Sequence, residues 1–126
     1  MCIRDSFLKS HKYGTSGWIA EKTGDIHMAK GQTVTPGSAY VQCSHRSELA
    51  GILAGLCYII DICATFGVTH GSITLGFDGL GALDAIKKTH NSKYTIKNNR
   101  NHFDILTAIK QLIRCIPDID INFVHI

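Results

Sequence analysis

The hydrophobic pattern of the chain is dominated by one stretch near its middle. Apolar residues recur there at helical spacing, immediately after Ser44 and Glu48. This pattern predicts a helix with Ser44 as its N-cap, Glu48 in its first turn and Gly67 at its end. The longest apolar run, Leu49–Ile60, is too short to span a bilayer, so we expect a buried central helix and no membrane segment.

Strand patterns precede this helix. Apolar residues around Phe7, Trp18 and Ile26 predict three strands. Lys22–Asp25 has turn chemistry, so we expect the second and third strands to pair as a hairpin. Gly31, inside the third strand, is predicted to form a bulge.

Two strands and two helices follow the central helix. Alternation predicts strands over Ser72–Asp78 and from Ile119 to the end of the chain. Between them we expect a short helix, Leu80–Lys88, and a longer one that Asn101 caps, with Asp104 three residues on. A strand, a helix and a further strand favour a parallel pair with a right-handed crossover. The predicted fold class is α/β: a mixed sheet with helices on its faces, in the order β-β-β-α-β-α-α-β.

Length, charge and cysteine usage describe one domain of an intracellular protein. The 126 residues can bury one sizeable core, and the net charge of +3 allows a polyanion partner without requiring one. The five cysteines form no Cys-x-x-Cys pair, which argues against a disulfide or zinc framework. We therefore expect a reduced, cytoplasmic or nuclear protein.

The two ends of the chain differ from its middle. Residues 1–6 fit poorly with the segment that begins at Phe7 and look like translated sequencing-adaptor read-through. The last predicted strand runs to Ile126 with no terminal turn after it. We expect a single domain over residues 1–126 that is truncated at both ends.

Acidic residues occupy the positions where an α/β sheet places its active site. Asp78 ends a predicted parallel strand, and Glu48 begins the crossover helix. Clustered carboxylates repel one another unless divalent cations lie between them, and two hard cations about 4 Å apart suit phosphodiester hydrolysis. On spacing alone, a charge favoured by the helix dipole explains Glu48, and an N-cap for the next helix explains Asp78.

Basic and glycine-rich segments offer two further interpretations. Lys87–Arg100 contains five basic residues and no acidic one. It is either a solvated face or a phosphate-binding patch, in which Lys93 and Lys97 would contact the substrate and Tyr94 would stack on a base. Gly76-x-x-Gly79-x-Gly81 follows a strand as a dinucleotide-binding turn does, but its spacing is reversed and an aspartate would face the pyrophosphate.

Four short motifs follow one another along the chain. They are Gly14-Thr15-Ser16-Gly17-Trp18, Ser44-x-Arg46-x-Glu48-Leu49-x-Gly51, Phe77-Asp78-Gly79-x-x-Ala82-Leu83 and Phe123-Val124-His125-Ile126. In this order they resemble type 1 ribonuclease H, and most closely the variety carried by retrotransposon reverse transcriptases. The resemblance implies a five-stranded mixed sheet with the central helix packed on it. It also implies cleavage of the RNA strand of RNA–DNA hybrids with two Mg²⁺ ions, for which Mn²⁺ could substitute.

The resemblance also implies a set of site residues. Glu48 and Asp78 match the family's helix carboxylate and strand-four carboxylate. Ser44 and Arg46 match its residues around the helix start, where we expect substrate contacts. The family's first carboxylate lies in an Asp-Gly-Ser turn, whereas this chain offers Asp5 followed directly by a serine. The resemblance thus assigns metal ligation and catalysis to Glu48, Asp78 and Asp5. It also places the family's final aspartate and its histidine-bearing loop beyond Ile126.

The resemblance implies an endoribonuclease within a retroelement polyprotein. A reverse-transcriptase polymerase domain would then lie in the same polyprotein, and this fragment alone would cleave weakly or not at all. Two other functions remain open. One is a non-catalytic nucleic-acid-binding module with the same fold, and the other is a small α/β nucleotide-binding protein.

Overall fold

The computed structural model describes six ranges of the chain: 2–8, 13–21, 28–38, 43–77, 79–90 and 102–126. Five strands and three helices lie in these ranges. The strands are β1 (Cys2–Leu8), β2 (Tyr13–Glu21), β3 (Met28–Val34), β4 (Gly71–Phe77) and β5 (Ile119–His125). The helices are α1 (Ser44–Phe66), α2 (Leu80–His90) and α3 (Phe103–Arg114).

The five strands lie in the order β3-β2-β1-β4-β5. β1, β2 and β3 form an antiparallel block, and β4 and β5 form a parallel block. The two blocks meet at one residue pair, Cys2 opposite Gly76. The predicted five-stranded mixed sheet is therefore corrected to an antiparallel block and a parallel block, between which ladder pairing is limited to that one pair.

The helices pack on one face of these strands, which corrects the prediction of helices on both faces. Leu49 and Ile52 of α1, Phe77 of β4 and Ile109 of α3 belong to one buried cluster, to which α2 also contributes. Side chains alternate between the two sides of a strand, and those on the opposite side are exposed. In the described ranges these include Ile19, Val34 and Val124.

The N-cap of helix α1 lies one residue earlier in the chain than the sequence predicts. Cys43 is the N-cap, and its Sγ accepts a hydrogen bond from the backbone N–H of Arg46 over 3.4 Å. Ser44 is the first helical residue, so the predicted Ser44 cap is wrong. The first turn contains no acidic residue, which places Glu48 in the second turn. Gly67 ends the helix with a φ of 66°, as predicted.

The whole of α1 is longer than the apolar run Leu49–Ile60, which was expected to be too short to span a bilayer. It has 23 residues, and within the described ranges it is the one helix long and apolar enough to cross a membrane. It packs against the antiparallel block and α3 instead. Its buried residues all lie between Arg46 and Leu56, so the first half of α1 is the central helix of the core.

Gly31 pairs regularly with Trp18 across the β2–β3 ladder, so the predicted bulge is wrong. The glycine is required by the neighbouring ring. A Cβ built on Gly31 would lie 2.5 Å from the indole carbon Cε2 of Trp18. The indole in turn packs against the ring of Tyr58 in α1, with 4.6 Å between the ring centroids. Gly31 thus allows the indole to lie over β3 and beneath α1.

Candidate active site

Glu48 is a buried carboxylate at the carboxyl end of β4. The residue is 6% exposed, and its Oε1 accepts a hydrogen bond from the backbone N–H of Gly79 over 2.8 Å. A Cβ on Gly79 would overlap the carboxylate. Because Glu48 lies in the second turn of α1, a first-turn interaction with the helix dipole no longer explains it. The glycine brings the turn after β4 into direct contact with the acid.

Asp78 lies outside the described residues, so its predicted roles as metal ligand and as N-cap are both untested. Its chain neighbours are described. Phe77, the last residue of β4, is fully buried, and Gly79 contacts Glu48. The structure therefore brings the backbone on the carboxyl side of Asp78 to Glu48.

Asp5 lies inside β1, where its backbone pairs with Ser16 of β2. Cys2 lies opposite Gly76 in a parallel pair, so from that pair β1 runs towards Asp5 in the same direction as β4 runs towards the turn at Gly79. Ser16 is 3% exposed, and its hydroxyl has no hydrogen-bond partner in the part of the chain that the structure describes. The backbone of β1 at Asp5 and the turn at Gly79 therefore lie at the same end of the strands.

Arg46 connects three segments of the chain. Its guanidinium is 3% exposed and donates from Nε to the carbonyl oxygen of Pro36 over 2.7 Å. Its two terminal nitrogens donate to the carboxylate oxygens of Asp104 at the start of α3, over 3.0 and 2.6 Å. This bidentate pair lowers the pKa of Asp104, although burial acts in the opposite direction. Arg46 thus fixes the start of α1 against α3, and its predicted substrate contact stays a prediction.

His102 lies beside this ion pair. It is the N-cap residue of α3, with a φ of 62°, so the predicted cap at Asn101 is wrong. Its Nδ1 is 3.3 Å from Arg46, and its Nε2 is 3.6 Å from Cys43 Sγ. Burial, followed by the charges of His45 and Arg46, lowers the pKa of His102, and Asp104 opposes them. No sequence pattern indicated this cluster, because its members come from helix starts far apart in the chain.

The remaining predicted site residues are not brought together by the described structure. Ser44 is exposed at the start of α1, and Lys93 and Lys97 lie outside the described residues. One contact that sequence reasoning missed involves Ser47, the residue before Glu48 in α1. The hydroxyl of Thr35 donates to that of Ser47 over 2.9 Å, and both side chains are buried. Within the described ranges, no group of three or more histidine, cysteine, aspartate or glutamate side chains could hold a metal ion.

The fold is similar to solved ribonuclease H structures. The RNase H1 of the halophilic archaeon Halobacterium salinarum is 16% identical, with a TM-score of 0.62 over 98% of this chain and 83% of that chain. The N-terminal RNase H domain of rv2228c from Mycobacterium tuberculosis, solved as a fusion with maltose binding protein, is 13% identical. Its TM-score is 0.58 over 98% of this chain and 81% of that chain. No protein-family model matches the chain, and no curated protein does. The chain has an RNase H-like fold.

Proposed function

We propose that this protein is a metal-dependent endoribonuclease that cleaves the RNA strand of RNA–DNA hybrids. The observation that carries the proposal is the hydrogen bond between the buried Glu48 carboxylate and Gly79. It joins an acid of α1 to the end of β4, beside Asp78, within an RNase H-like fold. Carboxylates at the ends of parallel strands occupy the usual position of an active site in such sheets.

The proposed metal ligands are Glu48, Asp78 and Asp5. The donor chemistry fits Mg²⁺, and Mn²⁺ as its substitute, because carboxylate and hydroxyl oxygens are hard ligands. Ser16 supplies a buried hydroxyl with no described partner beside Asp5 in the ladder. Held by these residues, a pair of such ions would supply activation of a water molecule and stabilisation of the leaving oxygen of a phosphodiester.

The residues of the chain itself orient this site. The Gly79 N–H holds one oxygen of Glu48, so the carboxylate keeps one rotamer. Arg46 holds the start of α1 against α3 through Asp104. Lys93 and Lys97 would neutralise substrate phosphates, and RNA would be recognised by its 2′-hydroxyls in the shallow minor groove.

The cellular context belongs to the same proposal. The order of the four motifs supports an origin in a retroelement polyprotein, with a reverse-transcriptase polymerase domain as its covalent partner. An enzyme acting on RNA–DNA hybrids would work in the cytoplasm or the nucleus. Sequencing of the flanking coding region would test this, and an open reading frame without an adjoining polymerase would contradict it.

The decisive experiment compares three forms of the chain with a labelled RNA–DNA hybrid in Mg²⁺ or Mn²⁺. Glu48→Gln keeps the Oε1 acceptor for Gly79 but removes the charge, and Glu21→Gln is the matched control at an exposed position. We expect weak cleavage by the parent and by Glu21→Gln, and at least tenfold less by Glu48→Gln. Mn²⁺ binding, followed by electron paramagnetic resonance, gives a readout where turnover is slow. Equal binding and equal cleavage by all three forms would refute the assignment.

A non-catalytic nucleic-acid-binding module is the second candidate. It is favoured by the position of Asp5 inside β1 rather than at its end. This function predicts binding of the hybrid without turnover, with affinity falling steeply between about 50 and 200 mM salt. Turnover that depends on Glu48 would exclude it.

A further inference from the structure

A cluster of titratable side chains lies where the starts of α1 and α3 meet. Its members are Cys43, His45, Arg46, His102 and Asp104, and we call it the Cys43 cluster. The side chain of Cys43 is partly exposed and forms no disulfide. The proposed function gives no task to Cys43 or His102, so the contact between them has a separate chemical meaning.

The contacts of His102 fix where its proton lies. A guanidinium can only donate, so Nδ1 of His102, which is 3.3 Å from Nη1 of Arg46, accepts a hydrogen bond. Burial, followed by the charges of His45 and Arg46, lowers the pKa of His102, so the ring is neutral near neutral pH. A neutral ring has a single N–H, which is then at Nε2, 3.6 Å from Cys43 Sγ. His102 therefore donates to the sulfur and offers no lone pair there for a metal ion.

Two N–H groups thus donate to one sulfur atom within the described structure. Besides His102, the backbone N–H of Arg46 donates to Cys43 Sγ over 3.4 Å. The sulfur also lies at the amino-terminal end of α1, where the helix dipole is positive. N–H donors and a helix N-terminus stabilise negative charge on sulfur, and the thiolate is the nucleophilic form of cysteine.

The donor ring is held in place from several sides. Arg46 contacts its Nδ1, and the guanidinium is itself fixed by the bidentate pair with Asp104. The ring of His45 packs against that of His102, with 5.4 Å between the ring centroids. His102 makes no side-chain hydrogen bond that caps α3, so its ring serves Cys43 and Arg46 instead. A nucleophile, a ring beside it and a third group that orients the ring are the usual parts of a reactive thiol site.

Cys57 and Cys115 provide a contrast within the same chain. Both are exposed, whereas Cys43 is only partly so. Cys115 lies at the carboxyl end of α3 and donates from Sγ to the carbonyl oxygen of Gln111 over 3.4 Å, where the helix dipole disfavours negative charge. Partial desolvation, followed by the charge of Asp61, raises the pKa of Cys57. Exposure therefore predicts that these two thiols react first, and local electrostatics predict the opposite order.

We propose that Cys43 is a modification site that reacts with low-molecular-weight disulfides. The thiol proton leaves to water, and the Cys43 sulfur attacks one sulfur of the disulfide RS–SR. A bond forms between Cys43 Sγ and that sulfur, the original S–S bond breaks, and the departing RS⁻ takes up a proton. Cys43 is thereby oxidised to a mixed disulfide, and the other half of the reagent is reduced to the thiol RSH. Excess thiol drives the same exchange backwards.

The modification acts on the helix that carries Glu48. Cys43 is the N-cap of α1, and Glu48 lies in the second turn of the same helix. A sulfur in a mixed disulfide carries no charge and bears a substituent, so it accepts the Arg46 N–H more weakly and the cap loosens. We expect hybrid cleavage to fall roughly fivefold on modification and to recover with excess thiol. This consequence rests on the proposed function, whereas the thiol exchange does not.

The test treats the full chain with bis(2-hydroxyethyl) disulfide near neutral pH and locates the modified cysteines by peptide mass spectrometry. The reagent is uncharged, so the net charge of +3 does not bias its approach. We expect Cys43 to react about tenfold faster than Cys57 and Cys115 in the folded chain. In urea that unfolds the chain, the three rates should agree within about twofold.

His102→Asn isolates the contribution of the ring. Asparagine is shorter, so it withdraws the donor from Cys43 Sγ, and it tolerates the φ of 62° at this position. The rate at Cys43 should fall roughly fivefold, while Cys57 and Cys115 in the same sample keep their rates. His70→Asn, at an exposed position, is the matched control and should leave all three rates unchanged.

Two results would overturn the inference. One is labelling of Cys57 or Cys115 at least as fast as that of Cys43 in the folded parent, and the other is an unchanged rate at Cys43 in folded His102→Asn. If that variant unfolds, which faster labelling of the partly buried Cys63 would show, the order of rates in the parent decides. Selective and reversible labelling of Cys43 in a chain that never cleaves the hybrid would support the thiol site and count against the ribonuclease function.

Discussion

The backbone N–H of Gly79 lies 2.8 Å from Oε1 of Glu48, so the acid of α1 and the turn after β4 are joined by a direct hydrogen bond. The contact requires glycine because a Cβ at this position would overlap the carboxylate. It also satisfies part of the hydrogen-bonding capacity of a buried charge, which is costly to leave without partners. Both residues should therefore be sensitive to small substitutions.

Gly79→Ala should lower the free energy of unfolding by about 1–3 kcal/mol, as overpacking does in a rigid site. The matched control is Gly81→Ala in α2, whose Cβ would meet His45 Nδ1 at 3.6 Å, an ordinary contact. Alanine is the better helix former, so this control should keep or raise stability by up to about 1 kcal/mol. Urea unfolding of the three chains checks both. Equal stabilities of the two variants would contradict the packing of Glu48 against Gly79.

Glu48→Gln should retain the fold because the amide oxygen can accept the same N–H. Its effect on stability without metal should be small, within about 1 kcal/mol, since the hydrogen bond is kept and the buried charge is removed. Thermal unfolding with and without Mg²⁺ separates the structural role of Glu48 from its proposed role as a metal ligand. A metal-dependent rise in melting temperature in the parent, absent in Glu48→Gln, is expected, and an equal rise in both would show that Glu48 does not bind the ion.

Arg46→Lys should lower the free energy of unfolding by about 1–3 kcal/mol, because a lysine cannot form the bidentate pair with Asp104 and also reach Pro36. The loss of stability stays in this range because the Asp104 side chain is 64% exposed and water screens its charge. Arg114→Lys, on the exposed last turn of α3, is the control and should change stability by less than about 0.5 kcal/mol. Chemical denaturation measures both variants.

Gly31→Ala should displace the indole of Trp18 and lower the free energy of unfolding by about 1–3 kcal/mol. Trp18 is the single tryptophan of the chain, so its fluorescence maximum should move to longer wavelength as its contact with Tyr58 loosens. Gly17→Ala, whose Cβ would lie 3.4 Å from the carbonyl oxygen of Gly31, is the control in the neighbouring strand. A spectrum unchanged by Gly31→Ala would contradict the stacked arrangement.

Stability should fall in two steps as the pH is lowered. The pKa of His102 lies below its usual 6.5 in the folded chain, so the unfolded chain binds the proton first and stability decreases as the pH falls through about 6.5. The pKa of Asp104 is also lowered, so its contribution is complete above pH 3.8 and is lost as the pH falls through the folded value. His102→Gln should remove the first step, and Asp104→Asn should remove the second. Denaturation midpoints between pH 3 and 8 measure both, with His70→Gln, at an exposed position, as the control.

Local patterns predicted the elements of the fold better than their contacts. Helical and alternating periods identified the strands and helices in their order, and Gly67 correctly marked the end of α1. The cap was missed because Cys43 is an unusual N-cap, and serine beside it fits the usual preference. The role of Gly31 was missed because it depends on a ring in the adjacent strand rather than on its own neighbours in sequence.

The candidate site was predictable only in part, for a related reason. The order of the elements places the start of α1 near the carboxyl end of β4. The proximity of Glu48 to the end of β4 could therefore be inferred from the sequence. The bond from Arg46 to Asp104 joins residues 58 positions apart, and no spacing rule indicates it. The single pairing between β1 and β4 likewise depends on tertiary register, which alternation within one strand cannot specify.

That single pairing also bears on the order of events in folding. The antiparallel block can form from neighbouring hairpins, whereas Cys2 and Gly76 are separated by most of the chain, and closing such a long loop is entropically costly. We therefore expect the junction between the blocks to form last, after each block has its own hydrogen bonds. The proposed ligands are divided across it, with Asp5 on one block and Asp78 following the other. Refolding chains should accordingly become compact before they can bind a metal ion. The delay between the compaction signal and the metal-binding signal would measure how long the junction between the blocks takes to form.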